Sequence, residues 1–368
     1  MRNCNAILKL SALILALTGT AALAHEGADG HEHPAEAPAK KATSKSAAKA
    51  EAKEPKVYPT IGSVERLDPA LDKLLAPGAQ MEKLAFGFDW SEGPVWVKKG
   101  EYLLFSDVPR NVVFRWKEGE GTKDFLIPSG YTGSVPRGGE PGSNGLTLDS
   151  KGRLVLCQHG DRQVARLEKD GSFLPLARYH KLRKFNSPND LVYKSNGDLY
   201  FTDPPYGLLK NNADPAKELA YNGVYRLDTK GEVTLLTQDL SFPNGIAFSP
   251  DEKHLYVAIS DPKRAVIMAY EVGKDGLIRN GRVFFDATAM VGTKKGLPDG
   301  LKVDKLGNLW ATGPGGVLIL SPEGKHLGTL NTGEATANCG WGGDGSTLYI
   351  TADAYLCRIQ TKVKGFGF

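Results

Sequence analysis

Six places along the chain carry a short oxygen-bearing side chain just before a glycine or an apolar run: Glu92-Gly93, Asn144-Gly145, Asn189-Asp190, Asn244-Gly245, Asp299-Gly300 and Asn338-Cys339-Gly340. Two carboxylates and several amide oxygens, with no His or Cys among them, form a hard-oxygen ligand set. Such a set suits one divalent cation, Ca2+ first, with Mg2+ or Mn2+ also accommodated and Zn2+ less natural without nitrogen or sulfur. A cation held there would polarise a carbonyl and acidify a bound water, leaving a neighbouring carboxylate free as general base. Asp299 is the candidate for that dual role. Each Asn-Gly or Asp-Gly pair alone also reads as a tight hairpin turn. Their recurrence in phase is what argues for a site.

The phase comes from a repeat. Strand, tight turn and second strand recur in PVWVKKGEYLLFSDVP, GLTLDSKGRLVLCQHG, DLVYKSNGDLYFTDPP, GIAFSPDEKHLYVAISDP, GLKVDKLGNLWATGPG and GWGGDGSTLYITADAY, starting at residues 94, 145, 190, 245, 300 and 340. Steps of 40 to 55 residues fit four-stranded blades of a propeller. Further strand material follows most copies, as in VVFRWKE, VARLEKD and GVYRLDT. The expected fold is therefore all-β, a six-bladed propeller of four-stranded antiparallel blades. After Gly340 the chain is too short to finish a blade alone, so the segment from Met81 to Ala85 is expected to close the ring and remove its exposed edges. A β-sandwich, the alternative, fits poorly with six paired copies. In a propeller the first strand of every blade lines the central channel, so the six fronts converge on one axis.

Second strands run the other way and end on the same face, at Ser106-Asp107, His159-Gly160-Asp161, Asp203-Pro204-Pro205-Tyr206 and Ser260-Asp261. These loops are expected to wall the pocket. Asn144, His159 and Asn189 are the candidates to meet substrate. His159 also reads as a proton shuttle, or as an ordinary hydrogen-bonded loop histidine. Asp203 and Asp261 precede prolines, where an Asp turn explains them without function. Arg110, Arg137 and Arg183 read as solvated, or as contacts to an anionic substrate.

Seven ordered motifs carry a family resemblance: SEGPVW (91–96), PGSNGLTLD (141–149), CQHGDRQVAR (157–166), NSPNDLV (186–192), FTDPPYG (201–207), FPNGIAF (242–248) and LPDGLKVD (297–304). Over residues 60–368 the chain resembles the gluconolactonase and senescence marker protein (regucalcin) family of six-bladed propellers, and is similar in layout to paraoxonases. The resemblance implies a divalent ion held by Glu92, Asn189, Asn244 and Asp299, with Asp299 as general base. It implies metal-dependent hydrolysis of a gluconolactone-like sugar lactone to the aldonic acid. Ser187 and Pro188 stand where animal relatives carry a substrate-contacting arginine, so sugar contacts do not carry over. The inserts at 127–141 and 208–221 receive no assignment. Because one fold hosts many functions, a non-catalytic metal-stabilised propeller that binds a sugar or peptide, or a related esterase or phosphotriesterase, stays open at this point.

Composition bounds the rest. With 368 residues, 41 % hydrophobic and 24 % charged, the balance is globular, and 43 glycines with 22 prolines favour many short strands and turns. An apolar run over residues 6–17 behind Arg2, interrupted by Lys9 and followed by Ala22-Leu23-Ala24, reads as a signal peptide cleaved after Ala24. Export to the periplasm or beyond follows, with no stable membrane insertion after cleavage. Residues 25–59, rich in Ala, Lys, Glu and Pro, read as a disordered tether with balanced charge. His25, His31 and His33 open it, as a solvated tail or a scavenger of transition metals. The formal charge of +4 falls to +2 without the leader, and no basic stripe remains for nucleic acid. Cys157, Cys339 and Cys357 lack metal-ligand spacing and read as buried thiols. The sequence gives no reading of oligomeric state.

Overall fold

Local turn chemistry punctuates the chain. Asp149, Asp228 and Asp304 each accept backbone N–H bonds from the residues two and four positions on, at 2.9 Å, and the intervening Gly152, Gly231 and Gly307 have φ of +74°, +88° and +87°. A side-chain acceptor and a left-handed glycine together reverse the chain in five residues. Strands of alternating apolar residues therefore fold back on their neighbours.

The computed structural model describes residues 56–368. The expected leader, and the expected tether up to residue 55, lie outside the described residues. Six of the sheets are arranged as propeller blades, and a separate two-stranded hairpin pairs Tyr179–His180 with Arg183–Lys184. Blade I comprises Ser91–Val97, Tyr102–Asp107, Val112–Lys117 and Gly121–Leu126. Blade II comprises Ser143–Leu148, Leu154–Gln158, Gln163–Leu167 and Phe173–Ala177. Blade III runs Leu191–Tyr193, Leu199–Asp203, Gly223–Leu227 and Val233–Thr237, and blade IV runs Pro243–Phe248, His254–Asp261, Arg264–Val272 and Ile278–Asp286. Blade V is built from Leu301–Val303, Leu309–Gly313, Gly316–Leu320 and His326–Asn331. Every pairing within these blades is antiparallel.

Blade VI holds Asn338–Gly342, Thr347–Ala352 and Tyr355–Gln360, and takes Met81–Phe86 as its outer neighbour, in register Tyr355↔Phe86 to Arg358↔Glu82. The N-terminal strand thus closes the ring. The chain just before it adds an extra outer strand to two blades: Thr60–Ile61 pairs with Met81–Phe86, and Ser63–Arg66 pairs with His326–Asn331 of blade V. Those two blades are five-stranded, a departure from the uniform four-stranded expectation that arises because a short TIGSVER segment gives little periodic signal.

The apolar cores lie between neighbouring blades. Trp310 of blade V meets Trp341 of blade VI edge-to-face at 5.2 Å, amid Leu330, Leu348 and Ile350. Phe185, Phe201 and Tyr225 form an aromatic cluster beside blade II residues Val155 and Val164. Tyr200 of blade III packs on Phe248 of blade IV. This radial packing leaves no two-layer core of the kind a sandwich requires. Cys157, Cys339 and Cys357 are buried and free within it.

Candidate active site

At the front of three blades the inner strand is bulged. Pairing jumps from Glu92↔Ser106 to Val95↔Leu104 in blade I, from Ser143↔Gln158 to Leu146↔Leu156 in blade II, and from Pro243↔Ile259 to Ile246↔Val257 in blade IV. A bulge bends the strand and re-aims the side chain it carries, and the residues re-aimed are Glu92, Asn144 and Asn244. In blades III and V the equivalent Asn189 and Asp299 stand two residues before the strand and still pair through their backbone, Asn189 N to Thr202 O at 2.9 Å and Asp299 N to Thr312 O at 3.3 Å.

The glycines that follow serve close approach, not hairpin turns. A Cβ on Gly93 would lie 2.2 Å from Asn144 O, one on Gly145 2.6 Å from Asn189 O, one on Gly245 2.1 Å from Asp299 O, and one on Gly340 2.5 Å from Pro94 O. Each glycine therefore lets its strand touch the backbone of the next blade. Second-strand hydroxyls stitch the same seam: Ser106 Oγ donates to Asn144 O at 2.9 Å, Thr202 Oγ1 to Asn244 O at 2.7 Å, Thr312 Oγ1 to Ala337 O at 3.0 Å, and Ser260 Oγ to Pro298 O. Neighbouring blades are thus in close backbone contact where the oxygen-bearing residues stand.

Glu92, Asn144, Asn189, Asn244 and Asp299 line one cavity of about 510 Å³. Glu92 Oε2 accepts from its neighbour Gly93 N at 3.0 Å and from Asn338 Nδ2 at 3.2 Å. Asn189 donates to Asn244 Oδ1, and Asn244 Nδ2 donates to Ser260 Oγ at 2.9 Å. Asn144 Oδ1, Asp190 Oδ2 and Asp299 Oδ1 are buried without a hydrogen-bond partner. Burial pushes the Glu92 carboxyl up to about 8, reinforced by the charge of Asp190. Burial also raises Asp299 well above the ordinary carboxyl range, with Glu92, Asp190 and Glu140 adding repulsion. Asp190 is raised by burial against the opposing pull of Lys302, whose Nζ bonds Leu301 O at 3.1 Å.

Several buried acceptors thus converge with little positive charge to offset them, a donor set that fits a hard divalent cation. Among the described residues no three His, Cys, Asp or Glu side chains form a metal-ligating cluster. A cation would rest on Glu92 and Asp299 with amide oxygens, the amides of Asn189 and Asn244 turning to present them.

His159 sits one layer back. Its side chain is fully buried, Nε2 lies 3.1 Å from Asn189 Oδ1, and Nδ1 lies 3.4 Å from Glu140 Oε2. It orients the Asn189 amide and is not among the residues lining the cavity. Asp203 is no Asp turn: its carboxylate accepts Asn186 N and Ser187 N, both at 2.8 Å, and so braces the loop leading to Asn189. Burial lifts it to about 7, those two donors pulling the other way. Asp107 plays the same part in blade I, accepting Asp89 N at 3.1 Å and Trp90 N at 3.3 Å. Asp261 does make the local turn, accepting Lys263 N at 2.9 Å. Arg110 pairs with Asp89, Arg183 bonds Glu218 O, and Arg137 bonds Gly207 O. None of the three lines the cavity.

Tyr206 and Ser260 take the wall positions expected of their loops, and Trp90, Glu140 and Lys294 are among the lining residues outside the expected set. Glu140 arrives on the 127–141 insert, which Asn111 Oδ1 anchors through the N–H groups of Ser129, Gly130 and Tyr131. Tyr206 belongs to the FTDPPYG motif, so its place at the mouth was readable as wall; nothing periodic marks Trp90 or Glu140.

Residues 90–354 match the family model described as SMP-30/Gluconolactonase/LRE-like region. A gluconolactonase of Zymomonas mobilis is 40 % identical over 324 residues, covering 83 % of this chain and 88 % of the relative. A solved structure from Xanthomonas campestris, described as a gluconolactonase, is 30 % identical with a TM-score of 0.71, over 83 % of this chain and 99 % of that one. The solved structure of a calcium-binding regucalcin from Agrobacterium tumefaciens shares 19 % identity with a TM-score of 0.60, over 76 % of this chain and 92 % of that one, a likeness of fold.

Proposed function

Because the chain belongs to the SMP-30/gluconolactonase/LRE-like family, we propose that it is a lactonase, hydrolysing a gluconolactone-like sugar lactone to its aldonic acid with a bound divalent cation, Ca2+ by ligand chemistry, and that it works in the periplasm or outside the cell. The observation that carries this reading is the convergence of Glu92, Asn144, Asn189, Asn244 and Asp299 on one cavity, with buried acceptor oxygens unpartnered.

When bound, the cation supplies Lewis-acid polarisation of the lactone carbonyl. Glu92, fixed by Gly93 N and Asn338 Nδ2, Asp299 and the amides of Asn189 and Asn244 would hold it. Asn144 turns its free oxygen toward the sugar hydroxyls, while His159 keeps Asn189 oriented from behind. Asp299 lines the cavity with Oδ1 unpartnered, and in this reading it stands beside the reacting carbon and takes the proton of the attacking water. The water oxygen adds to the carbonyl carbon, and the tetrahedral adduct collapses with cleavage of the ring C–O bond. The proton held on Asp299 passes to the departing ring oxygen, and product leaves as the open-chain hydroxy acid.

The test is acid release at fixed pH from a panel of sugar lactones. We expect Asp299→Ala to lower the rate by roughly 10²–10⁴-fold while cation binding weakens. An unchanged rate for Asp299→Ala rejects this mechanism. No acid above the spontaneous rate with any lactone, cation binding being retained, makes the chain a binding propeller instead.

A further inference from the structure

Several hydrogen-bond donors around the cavity are already committed. Asn189 Nδ2 is committed to Asn244 Oδ1, Asn244 Nδ2 to Ser260 Oγ, Ser260 Oγ to Pro298 O, and Lys294 Nζ to Glu65 Oε2 at 3.0 Å. Tyr206 differs. Its hydroxyl is buried on the cavity wall, beside the Ser260 and Asn244 side chains whose own donors are turned elsewhere, and it makes no hydrogen bond of full geometry. A buried phenol with an unmade bond loses the hydration it would have in solvent and gains nothing in return.

The side chain is also held in place. Its ring stacks on Phe242 with centroids 6.0 Å apart and planes 12° from parallel. The backbone on either side is pinned by Ser187, whose Oγ donates to Pro204 O at 2.6 Å and accepts from Gly207 N at 2.9 Å, while Arg137 caps Gly207 O. A Cβ at Gly207 would lie 2.6 Å from His159 Cβ and 2.7 Å from Ser187 Cβ, so the turn is seated against the layer that orients Asn189. A rigid, unpartnered donor beside the proposed base is the arrangement that stabilises charge developing on a substrate oxygen without reorganising.

We propose that Tyr206 is a catalytic residue whose hydroxyl donates a hydrogen bond to the lactone ring oxygen as the C–O bond breaks. This rests on the lactonase reading above. The phenolic proton stays on Tyr206 throughout; the proton that ends on the ring oxygen is the one Asp299 took from water. With the carbonyl oxygen given to the cation, the ring oxygen is the second atom on which negative charge grows, and it needs a donor in proportion to how poor a leaving group it is.

The experiment compares wild type and Tyr206→Phe on an aliphatic sugar lactone and on an aryl lactone whose leaving group is a phenol, with melting temperatures measured alongside. Tyr206→Phe keeps the stack on Phe242 and removes only the unpaired hydroxyl. We expect kcat on the sugar lactone to fall by roughly 10–10²-fold with KM little changed, a clearly smaller loss on the aryl lactone, and a melting temperature that is unchanged or higher. Equal losses on both substrates, no loss on either, or a fall in melting temperature that accounts for the lost activity would each overturn the assignment. A wild-type enzyme inactive on every lactone would defeat the lactonase reading itself, which is a separate outcome.

Discussion

Replacing Gly245 by alanine tests whether the seam between blades sets the position of the proposed base. The new Cβ would stand 2.1 Å from Asp299 O, 2.8 Å from Gly300 Cα and 3.0 Å from Asp299 C, against an ordinary contact of 3.4–4 Å. All three atoms are backbone, so no side chain can swing aside, and relief requires the fronts of blades IV and V to part by about 1 Å. Overpacking of this kind costs about 1–3 kcal/mol. For a ring of about 310 residues, an unfolding entropy of about 2.1 cal/mol/K per residue turns that into a melting temperature lower by roughly 2–5 °C. The larger effect is on rate, because the displaced atoms belong to Asp299 itself, and a misplacement of about 1 Å costs about 10²-fold. The assay is kcat for lactone hydrolysis with thermal melting, run beside Gly78→Ala, where nothing lies within 4 Å of the added Cβ and φ is not positive. Gly78→Ala is expected to match wild type in both. If Gly245→Ala keeps wild-type kcat and melts within about 1 °C of it, the close-approach account of these glycines is wrong.

Chelation is expected to abolish lactone hydrolysis, with recovery on adding back one divalent ion; cation at about 100 times its Kd adds about 2.7 kcal/mol of stability, read as a higher melting temperature. Affinity is expected to rise with pH by about tenfold per unit for each proton displaced, because Glu92, pushed up to about 8, must release its proton to ligate, and calorimetric affinities that do not change between pH 6 and pH 8 would contradict this. The sign for the cation-free chain is opposite: its folded state keeps a proton that the unfolded chain loses above the ordinary value of 4.5, so the stability this group lends is full below that value and is lost as pH rises through about 8. Export predicts a mature protein beginning at His25 in the periplasmic or secreted fraction, and an intact N-terminus in the cytosol would remove that part of the proposal.

The repeated fronts were legible because period and chemistry coincide: an oxygen-bearing residue, then Gly or Asp, then a strand, recurring at blade spacing. Asn-Gly pairs also resemble hairpin turns, and the sequence cannot separate the two uses. Only the packing reveals that Gly145 and Gly245 lie against a neighbouring blade. Residues that reach the cavity from outside the repeat were not legible. Glu140 comes from an insert with no counterpart in other blades, and Trp90 is placed by Asp107, seventeen residues away, through a backbone bond. His159 stands at the expected end of its strand, yet it packs under the Gly207 turn with its ring turned to Asn189 and is not among the residues lining the cavity. The buried state of the three thiols followed from the apolar strands that carry two of them.

Closure of the ring by Met81–Phe86 has a consequence for how the molecule is made. The pairing of Arg358 with Glu82 joins residues 276 positions apart, so the last seam cannot form until nearly the whole chain is available. Its loop entropy is among the largest in the fold and is met only at the end. Folding should accordingly be slow and late, with the strand at 81–86 waiting, its edge open, for the C-terminal hairpin. The same seam makes the finished ring hard to reopen, because separating blade VI also means releasing the outer strands that tie it to blade V. Persistence of the folded molecule is then governed by how fast one zipper opens, not by the summed strength of its six sheets.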